Sequence, residues 1–315
     1  MTLHPHTTRP RANFFLVGAP KAGTTSIDRL LRSHPDVFLS PIKEPCHFCP
    51  DVTAQLKHQL SSRVGFDLPA YLASPHKPVI HFLPVASPED YARLFDGAGQ
   101  RRVIGECSTY YLSSGSAAAN IHAYNPDARI MVVVRTPIDR IRSHYAMDRS
   151  LGLASRPLLA HVQEELALGE SAHWGNSRYY VGASRYAPQI ARYQQYFPPE
   201  QICVLSFEKL ISQPEVELRR AFEFLGVPAP DTLALPTENK SRAARFPLLH
   251  AGLRKSGLKP LVAGLLDRGA GTRLGQAAKS VYYREKFRVA SGEELAQVRN
   301  LLRKEGLDCP MADAA

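Results

Sequence analysis

The 315-residue chain lacks any long apolar run. No stretch approaches the roughly 18 consecutive apolar residues that a membrane-spanning helix needs. The first residues, MTLHPHTTRPRANF, also lack the apolar core of a secretory signal peptide. We therefore expect a cytoplasmic protein in which residues 1–12 form a disordered lead-in and residues 13–315 form a single domain.

Cysteine is scarce, at five residues. Cys46 and Cys49 form a C-x-x-C pair, but Cys107, Cys203 and Cys309 are isolated, so the second pair that a four-cysteine zinc site needs is missing. A proline on each side of the pair is untypical of a redox motif that opens a helix. We expect reduced free thiols and no metal, with metal or redox chemistry as the weaker alternative.

Acidic residues are nearly absent between residues 240 and 288. Twelve lysines and arginines accompany only two acids there, Asp267 and Glu285, so this basic segment carries an excess equal to the whole net charge of +10. Such a segment suits an anionic ligand, an acidic polymer, nucleic acid or a membrane surface. Because it has few aromatic residues for base stacking, we expect no specific nucleic-acid binding, while contact with a membrane surface stays open.

The chain alternates strand and helix patterns. Short apolar runs typical of buried strands occur at residues 13–18, 101–106, 129–135 and 201–207. Helical spacing follows the first three, and the proline-rich region 49–101 predicts an irregular insertion with a short helix from Pro88. Strands that alternate with helices predict an α/β fold of three layers, α/β/α, with a central parallel sheet. Ligands of such sheets bind at the carboxyl ends of the strands.

The stretch FFLVGAPKAGTTS, residues 14–26, is similar to a phosphate-binding loop with its lysine displaced. The nucleoside-triphosphate loop, G-x-x-x-x-G-K-[ST], would place lysine where this chain has Thr24, but the lysine comes three residues earlier, at Lys21. Gly18 and Gly23 permit the backbone angles that an anion-binding loop needs. Amides at the start of the following helix supply donors to the anion. We expect Thr24 to cap that helix and Lys21 to stabilise leaving-group charge.

A second candidate site is VVVRTPIDRIRSHY, residues 132–145. Arg135 ends a buried strand, Thr136 is the predicted cap of the next helix, and Ser143 lies about two turns into that helix. A triphosphatase tends to place a magnesium-binding aspartate at such a strand end. A fixed cation there predicts a second, separate phosphate and argues against a metal-bound triphosphate.

GAPKAGTT and RTPIDRIRSHY together resemble the donor-binding motifs of sulfotransferases that use 3′-phosphoadenylyl sulfate (PAPS). The resemblance implies a fold like that of P-loop nucleoside triphosphate hydrolases, with the 5′-phosphosulfate of PAPS at the first loop and the 3′-phosphate at the second. It also implies that Ser143 restrains Lys21 until the acceptor binds. The implied donor residues are Lys21, Ala22, Gly23, Thr24, Thr25, Ser26, Arg135 and Ser143 and, from a later loop, Asn239, Ser241 and Arg242.

The stretch SPIKEPCHF, residues 40–48, resembles the K-E-P element of the carbohydrate-modifying, heparan-sulfate type branch of that family and its bacterial relatives. In that branch a glutamate at this place is the general base, which implies that Glu44 deprotonates the acceptor. His47 and His81 are rival bases. Cys107 stands where some relatives carry a lysine that contacts the substrate, so the resemblance does not define the acceptor site. Because variable loops form the acceptor pocket, a glycan, a lipid and a small metabolite all stay open as the hydroxyl-bearing acceptor.

We therefore predict an enzyme that moves a sulfuryl group from PAPS to a hydroxyl or amine, in line and without a metal. Two alternatives remain. One is a nucleotide-dependent kinase on the same fold, and the other is a non-enzymatic module that binds anions or nucleic acid through the basic segment 240–288. The oligomeric state is not specified by the sequence.

Overall fold

The computed structural model describes residues 9–54, 66–151, 153–169, 178–235, 243–244, 283–284 and 290–307. Residues 1–8 and most of the basic segment 240–288 lie outside these ranges. The predictions made for those residues stay predictions.

Strands and helices alternate through the described residues. The strands are β1 (Phe14–Gly18), β2 (Val37–Leu39), β3 (Ile42–Lys43), β4 (Ile80–His81), β5 (Val103–Cys107), β6 (Arg129–Val134), β7 (Ile202–Ser206), β8 (Ala243–Ala244) and β9 (Tyr283–Arg284). The helices are α1 (Thr24–Arg32), α2 (Pro50–Thr53), α3 (Leu68–Ala73), α4 (Pro88–Arg93), α5 (Ala117–Tyr124), α6 (Pro137–Ser150), α7 (Leu158–Leu168), α8 (Tyr186–Gln194), α9 (Phe207–Ser212), α10 (Pro214–Leu225) and α11 (Gly292–Lys304).

The main sheet contains five strands in the order β2–β5–β1–β6–β7, and all its pairings are parallel. Every residue of β1 and β5 is buried. Because successive side chains of a strand point to opposite faces, a wholly buried strand must be covered on both faces. Helices on the two faces provide that cover, which confirms the predicted three-layer α/β/α class with a central parallel sheet.

The strand order places the candidate loops together. The chain adds β5 on one side of β1 and β6 on the other, so the direction of strand addition reverses at β1. In open α/β sheets a crevice forms at the carboxyl ends of the strands on either side of such a reversal. The loop after β1 and the residues after β6 border that crevice.

The short elements differ most from the sequence-based expectation. β2 is an edge strand of the main sheet that the apolar pattern did not reveal, because it is only three residues long. The region 49–101 contains the expected helix at Pro88, but its described part also contains α2, α3 and β4. β4 pairs in parallel with β3, which places His81 opposite Lys43.

A second, smaller core supports α6 from the side away from the sheet. Ile141 and Tyr145 of α6 pack with Leu158 of α7 and with Val298 and Leu302 of α11. α11, the last helix within the described residues, therefore helps to fix α6, which carries Ser143. Among the described helices, none combines the length and apolar character of a transmembrane segment.

Candidate active site

The loop between β1 and α1 ends in a helix start whose amides are open. Gly23 is the residue before the first helical turn, and no side chain caps the helix there. The prediction that Thr24 caps α1 is wrong, because Thr24 is already the first helical residue and is buried. Within the described residues the N–H groups of Gly23, Thr24 and Thr25 donate to no acceptor. An uncapped helix start is an anion-binding site.

Gly23 also sets how closely another element approaches the loop. Its φ is 91°, in the left-handed region, and a Cβ at this position would lie 2.7 Å from the Phe207 ring. Phe207 is the first residue of α9, directly after β7. Glycine is therefore required here by conformation and by space.

Lys21 lies inside the loop with a φ of 68°. Left-handed backbone is uncommon for a residue other than glycine and is concentrated at functional sites. Its Nζ lies 3.8 Å from Met147 Sδ, a weak acceptor on α6. Burial lowers the pKa of Lys21, and the charge of Arg135 lowers it further.

Arg135 connects the two predicted donor sites. Its Nη1 donates to the backbone oxygen of Lys21 at 3.2 Å, and its guanidinium lies over the Phe207 ring at 4.4 Å. Its buried Nε has no partner among the described residues. Burial lowers the pKa of Arg135. A partly buried guanidinium with an unused N–H group is a fitting donor for a phosphate oxygen.

Ser143 is half-buried on α6 and lies one turn before Met147. Residues four apart share a helix face, so Ser143 borders the crevice. In the described residues it makes no hydrogen bond to Lys21, whose contact on α6 is Met147. The predicted restraint of Lys21 by Ser143 stays a prediction.

The remaining predicted donor residues are distributed as follows. Ala22 is fully buried. Ser26 is half-buried in the first turn of α1, and its N–H donates to the oxygen of Gly23. Asn239, Ser241 and Arg242 lie outside the described residues.

Glu44 is held on the far side of the crevice by three hydrogen bonds. Its Oε1 accepts from Lys43 Nζ at 3.1 Å and from Thr109 Oγ1 at 3.0 Å, and its Oε2 accepts from Thr109 N–H at 2.6 Å. It is 9% exposed and has a φ of 62°. An ionised carboxylate offers about four acceptor positions, so one remains open, on Oε2.

A second buried carboxylate, Glu106, is linked through Ser108 to the segment that carries Glu44. It is buried and accepts hydrogen bonds from the hydroxyls of Tyr91, Tyr111 and Ser108. Ser108 Oγ in turn accepts from Cys46 N–H at 3.1 Å, next to the Glu44 segment. Burial raises the pKa of Glu106 to about 7, against the effect of those hydroxyls. Apolar spacing alone did not single out this residue.

The two rival histidines occupy different environments. His47 is hydrogen-bonded at 2.8 Å to the oxygen of Val85 and stacked on Tyr91, with centroids 4.2 Å apart. Burial lowers the pKa of His47. His81 lies on β4 and is largely exposed. Its partial burial, followed by the charge of Lys43, lowers its pKa. His47 is thus committed to a backbone oxygen and a ring, whereas Glu44 has a free acceptor position.

Cys46, Cys49, Cys107 and Cys203 are buried free cysteines. Burial raises the pKa of Cys46 and Cys107. A buried thiol with a raised pKa stays protonated at neutral pH and is unreactive. This agrees with the expectation of reduced thiols.

Two further residues organise the donor side and were not predicted. Arg140 is fully buried and donates to the oxygens of Pro20, Tyr180 and Ser184, which ties α6 to the donor loop. Glu208 accepts from Thr136 N–H and Oγ1, both at 2.9 Å. The signal for Arg140 was its place inside the second motif, whereas Glu208 becomes apparent only when β7 is placed beside β6.

The fold and these contacts define an α/β protein with two candidate anion-binding sites at a strand reversal and a buried, hydrogen-bonded carboxylate, Glu44. The sequence model of the Sulfotransferase family matches residues 13–231. The chain therefore belongs to the sulfotransferase family, as the two donor motifs predict.

Known relatives support the assignment to this family. Carbohydrate sulfotransferase 15 of Rattus norvegicus is 25% identical over 252 residues, which cover 68% of this chain and 44% of the relative. Heparan sulfate glucosamine 3-O-sulfotransferase 6 of Homo sapiens is 33% identical over 137 residues, which cover 43% of this chain and 37% of the relative. The chain thus spans less than half the length of these curated relatives.

Among solved structures, a sulfotransferase from Alicyclobacillus acidocaldarius is similar to this chain with a TM-score of 0.57 and 27% sequence identity. The similarity covers 81% of this chain and 96% of the other. The likeness to this structure extends over most of both chains.

Proposed function

We propose that this protein transfers a sulfuryl group from PAPS to a hydroxyl group of a carbohydrate-type acceptor, in line and without a metal. One observation carries the proposal. Arg135 bonds to the backbone of Lys21 across the strand reversal, and it leaves a buried N–H unused beside an uncapped helix start. Such a site suits a ligand with two separate anionic groups, as PAPS has.

The residues have distinct roles in this reaction. Open amides of Gly23, Thr24 and Thr25 would bind the phosphosulfate, and Arg135 with Ser143 would bind the 3′-phosphate. The acceptor oxygen attacks sulfur while the bond from sulfur to the bridging oxygen breaks. The ammonium of Lys21 stabilises the negative charge that develops on that oxygen.

Glu44 would receive the proton of the acceptor hydroxyl. Thr109 fixes the carboxylate through two hydrogen bonds, and the open acceptor position lies on Oε2. We therefore assign the proton to Oε2. The Lys43 ammonium contacts the other oxygen, Oε1, and so helps to hold the carboxylate in this orientation. Fixed orientation of a base within hydrogen-bond reach is what general-base catalysis requires.

The aromatic pair beside Glu44 favours a glycan among the acceptors that the sequence left open. Phe82 N–H donates to the oxygen of Lys43, and the rings of Phe82 and Tyr110 lie 5.8 Å apart. Aromatic side chains with a few fixed polar groups are typical of small-molecule sites. The names of the two curated relatives above also point to carbohydrate acceptors.

Calorimetric titration with 3′-phosphoadenosine 5′-phosphate (PAP), the spent donor, tests the proposal. We expect binding that does not depend on Mg²⁺, with affinity reduced about 10- to 100-fold in Arg135→Ala, because charge-assisted hydrogen bonds to phosphate are lost. Arg219→Ala, which removes an exposed arginine of α10, is the matched control. Preference for ATP with Mg²⁺ would replace this proposal by the kinase alternative.

Three predictions from the sequence stay predictions: the single domain over residues 13–315, the cytoplasmic location, and the role of the basic segment 240–288. Contact of that segment with an anionic acceptor or a membrane surface can be tested by replacing its lysines and arginines from Arg245 to Arg288 with glutamine, which keeps the implied donor residues Ser241 and Arg242. If this part of the segment binds an anionic acceptor, the replacement raises the KM for that acceptor and leaves PAP affinity unchanged.

A further inference from the structure

A buried carboxylate on α6 has an unused oxygen next to the donor loop. Asp148 is fully buried, and its Oδ2 accepts a hydrogen bond from the Tyr180 hydroxyl at 2.8 Å. Its other oxygen, Oδ1, has no partner among the described residues. A buried carboxylate oxygen without a hydrogen bond is costly, so its presence calls for a physical reason.

The ammonium of Lys21, in turn, has no strong hydrogen-bond acceptor on α6. Its contact on α6 is the sulfur of Met147, which precedes Asp148 in sequence. Burial lowers the pKa of Lys21, the cation Arg135 lowers it further, and Asp148 raises it. Electrostatic coupling thus links a buried cation that has a weak acceptor on α6 to an anion with an open acceptor position, and the described residues show no direct ion pair between the two.

The other charged groups near Asp148 have partners of their own. The Arg140 guanidinium donates to two backbone oxygens and a serine hydroxyl, and it is also hydrogen-bonded to His144 Nδ1. Arg178 lies 3.9 Å from Glu164. Glu165, on α7, accepts from three backbone amides.

His144 does not supply a charge to Asp148. Its Nε2 lies 3.9 Å from Asp148 Oδ2. Burial, with the charges of Arg140 and Lys21, lowers the pKa of His144 well below its usual range, so the imidazole is neutral at pH 7. Of these charged groups, Lys21 is therefore the one that can donate to the open Oδ1 of Asp148.

We propose that Asp148 is a positioning residue for Lys21, which holds the ammonium toward α6 between turnovers and releases it when the donor binds. The flexible four-carbon stem of lysine allows such an exchange of partners. In this arrangement Asp148 competes with the donor for the same cation. The identity of the donor rests on the proposed function, whereas the coupling between Asp148 and Lys21 does not.

The coupling is tested without any donor. In protein labelled with [13C]lysine, the pKa of the Lys21 amine is followed by NMR, with Lys21→Arg to assign the signal. Asp148→Asn should lower that pKa, because a neighbouring negative charge is removed. Glu215→Gln removes a distant exposed negative charge instead and should not lower that pKa. An unchanged Lys21 pKa in Asp148→Asn overturns the coupling.

The reciprocal measurement guards against a variant that does not fold. Burial raises the pKa of Asp148 to about 7, while Tyr180 and Lys21 act to lower it. In Lys21→Gln, with [13C]aspartate label, the pKa of Asp148 should rise further. No rise in a folded Lys21→Gln protein overturns the coupling as well.

Competition with the donor is tested by calorimetry with PAP at pH 8, where Asp148 is ionised. Asp148→Asn should bind PAP on the order of fivefold more tightly than the unchanged protein, because a nearby like charge is removed. Glu215→Gln should bind normally. A merely structural role would make binding weaker, so equal or weaker binding by a folded Asp148→Asn protein overturns the competition. Absence of PAP binding in the unchanged protein would instead refute the proposed function and, with it, the competition, while the NMR titrations still decide the coupling.

Discussion

The proposed donor side of the crevice, residues 18–26 and 135–143, leaves polar groups unused, whereas the acceptor side, residues 43–47 and 106–109, uses nearly all of them. On the donor side the described residues leave three amides and a buried guanidinium nitrogen without acceptors. On the acceptor side Glu44 and Glu106 each accept three hydrogen bonds. The proposed donor side therefore has hydrogen-bond donors to offer an anion, whereas the groups of the acceptor side are already hydrogen-bonded to one another.

This difference predicts that the two sides contribute to different steps, the donor side to substrate binding and the acceptor side to stabilisation of the transition state. A dianionic ligand supplies the acceptors that the donor side lacks, so binding energy is expected mainly there. On the acceptor side little reorganisation remains to be done, which favours stabilisation of the transition state. Substitutions on the two sides should therefore change different kinetic constants.

The largest effect is expected for Lys21→Ala. Loss of the only ammonium inside the donor loop should lower kcat about 10³-fold, because leaving-group charge is no longer stabilised. Steady-state kinetics with PAPS would measure the change, with circular dichroism as the check on folding. Near-normal kcat in a folded variant would remove Lys21 from the mechanism.

Glu44→Gln should lower kcat about 10²-fold and leave PAP affinity nearly unchanged, because the variant loses the proton acceptor but no donor contact. Kinetics and calorimetry on the same preparation separate these two quantities. Thr109→Val is the matched control, since it keeps the carboxylate and removes one orienting hydrogen bond. Only a few-fold loss of kcat is expected for it. Weak PAP binding with normal kcat in Glu44→Gln would contradict the base assignment.

Gly23→Ala tests how tightly the donor loop is fitted. The new methyl group would meet the Phe207 ring at 2.7 Å and take a left-handed φ. We expect a loss of about 1–3 kcal/mol in the free energy of unfolding, together with weaker PAP binding.

Gly99→Ala is the control for that substitution, because Gly99 also has a positive φ, of 59°, but a Cβ there would have its nearest neighbour, Arg101 Nη1, at 3.7 Å, an ordinary contact distance. This control should lose only the free energy of unfolding that the positive φ costs. Denaturant titrations of both variants would measure the two losses. Equal losses in the two variants would mean that the Phe207 contact does not matter.

The sequence predicted the central strands and the two donor loops because these depend on local patterns: apolar runs, glycine spacing and a cation at a strand end. It did not predict β2, which is too short for a periodic pattern. Glu106, Phe207 and Asp148 were missed for a different reason. Their roles depend in part on residues distant in sequence, such as Tyr91 for Glu106, 15 residues away, and Gly23 for Phe207, 184 residues away, and no local pattern encodes such contacts.

The smallest effect is expected for Glu106→Gln and concerns stability. The pKa of Glu106 is about 7 in the folded protein, above the ordinary value of about 4.3 that applies when the chain is unfolded. Between these values the folded state binds more protons than the unfolded state. The contribution of Glu106 to stability is therefore fully present below about pH 4.3 and is lost as pH rises through 7.

Glutamine removes this contribution, so the Tm of Glu106→Gln relative to the unchanged protein should rise by a few degrees between pH 5 and pH 8. Thermal melts at four pH values would measure the difference. Asp148 and Glu165 also have pKa values raised by burial, but they are common to both proteins and cancel in the comparison. A difference in Tm that does not change with pH would show that Glu106 does not titrate in this range. The acceptor side would then be held by an ionised carboxylate throughout, which would make it still less like the donor side.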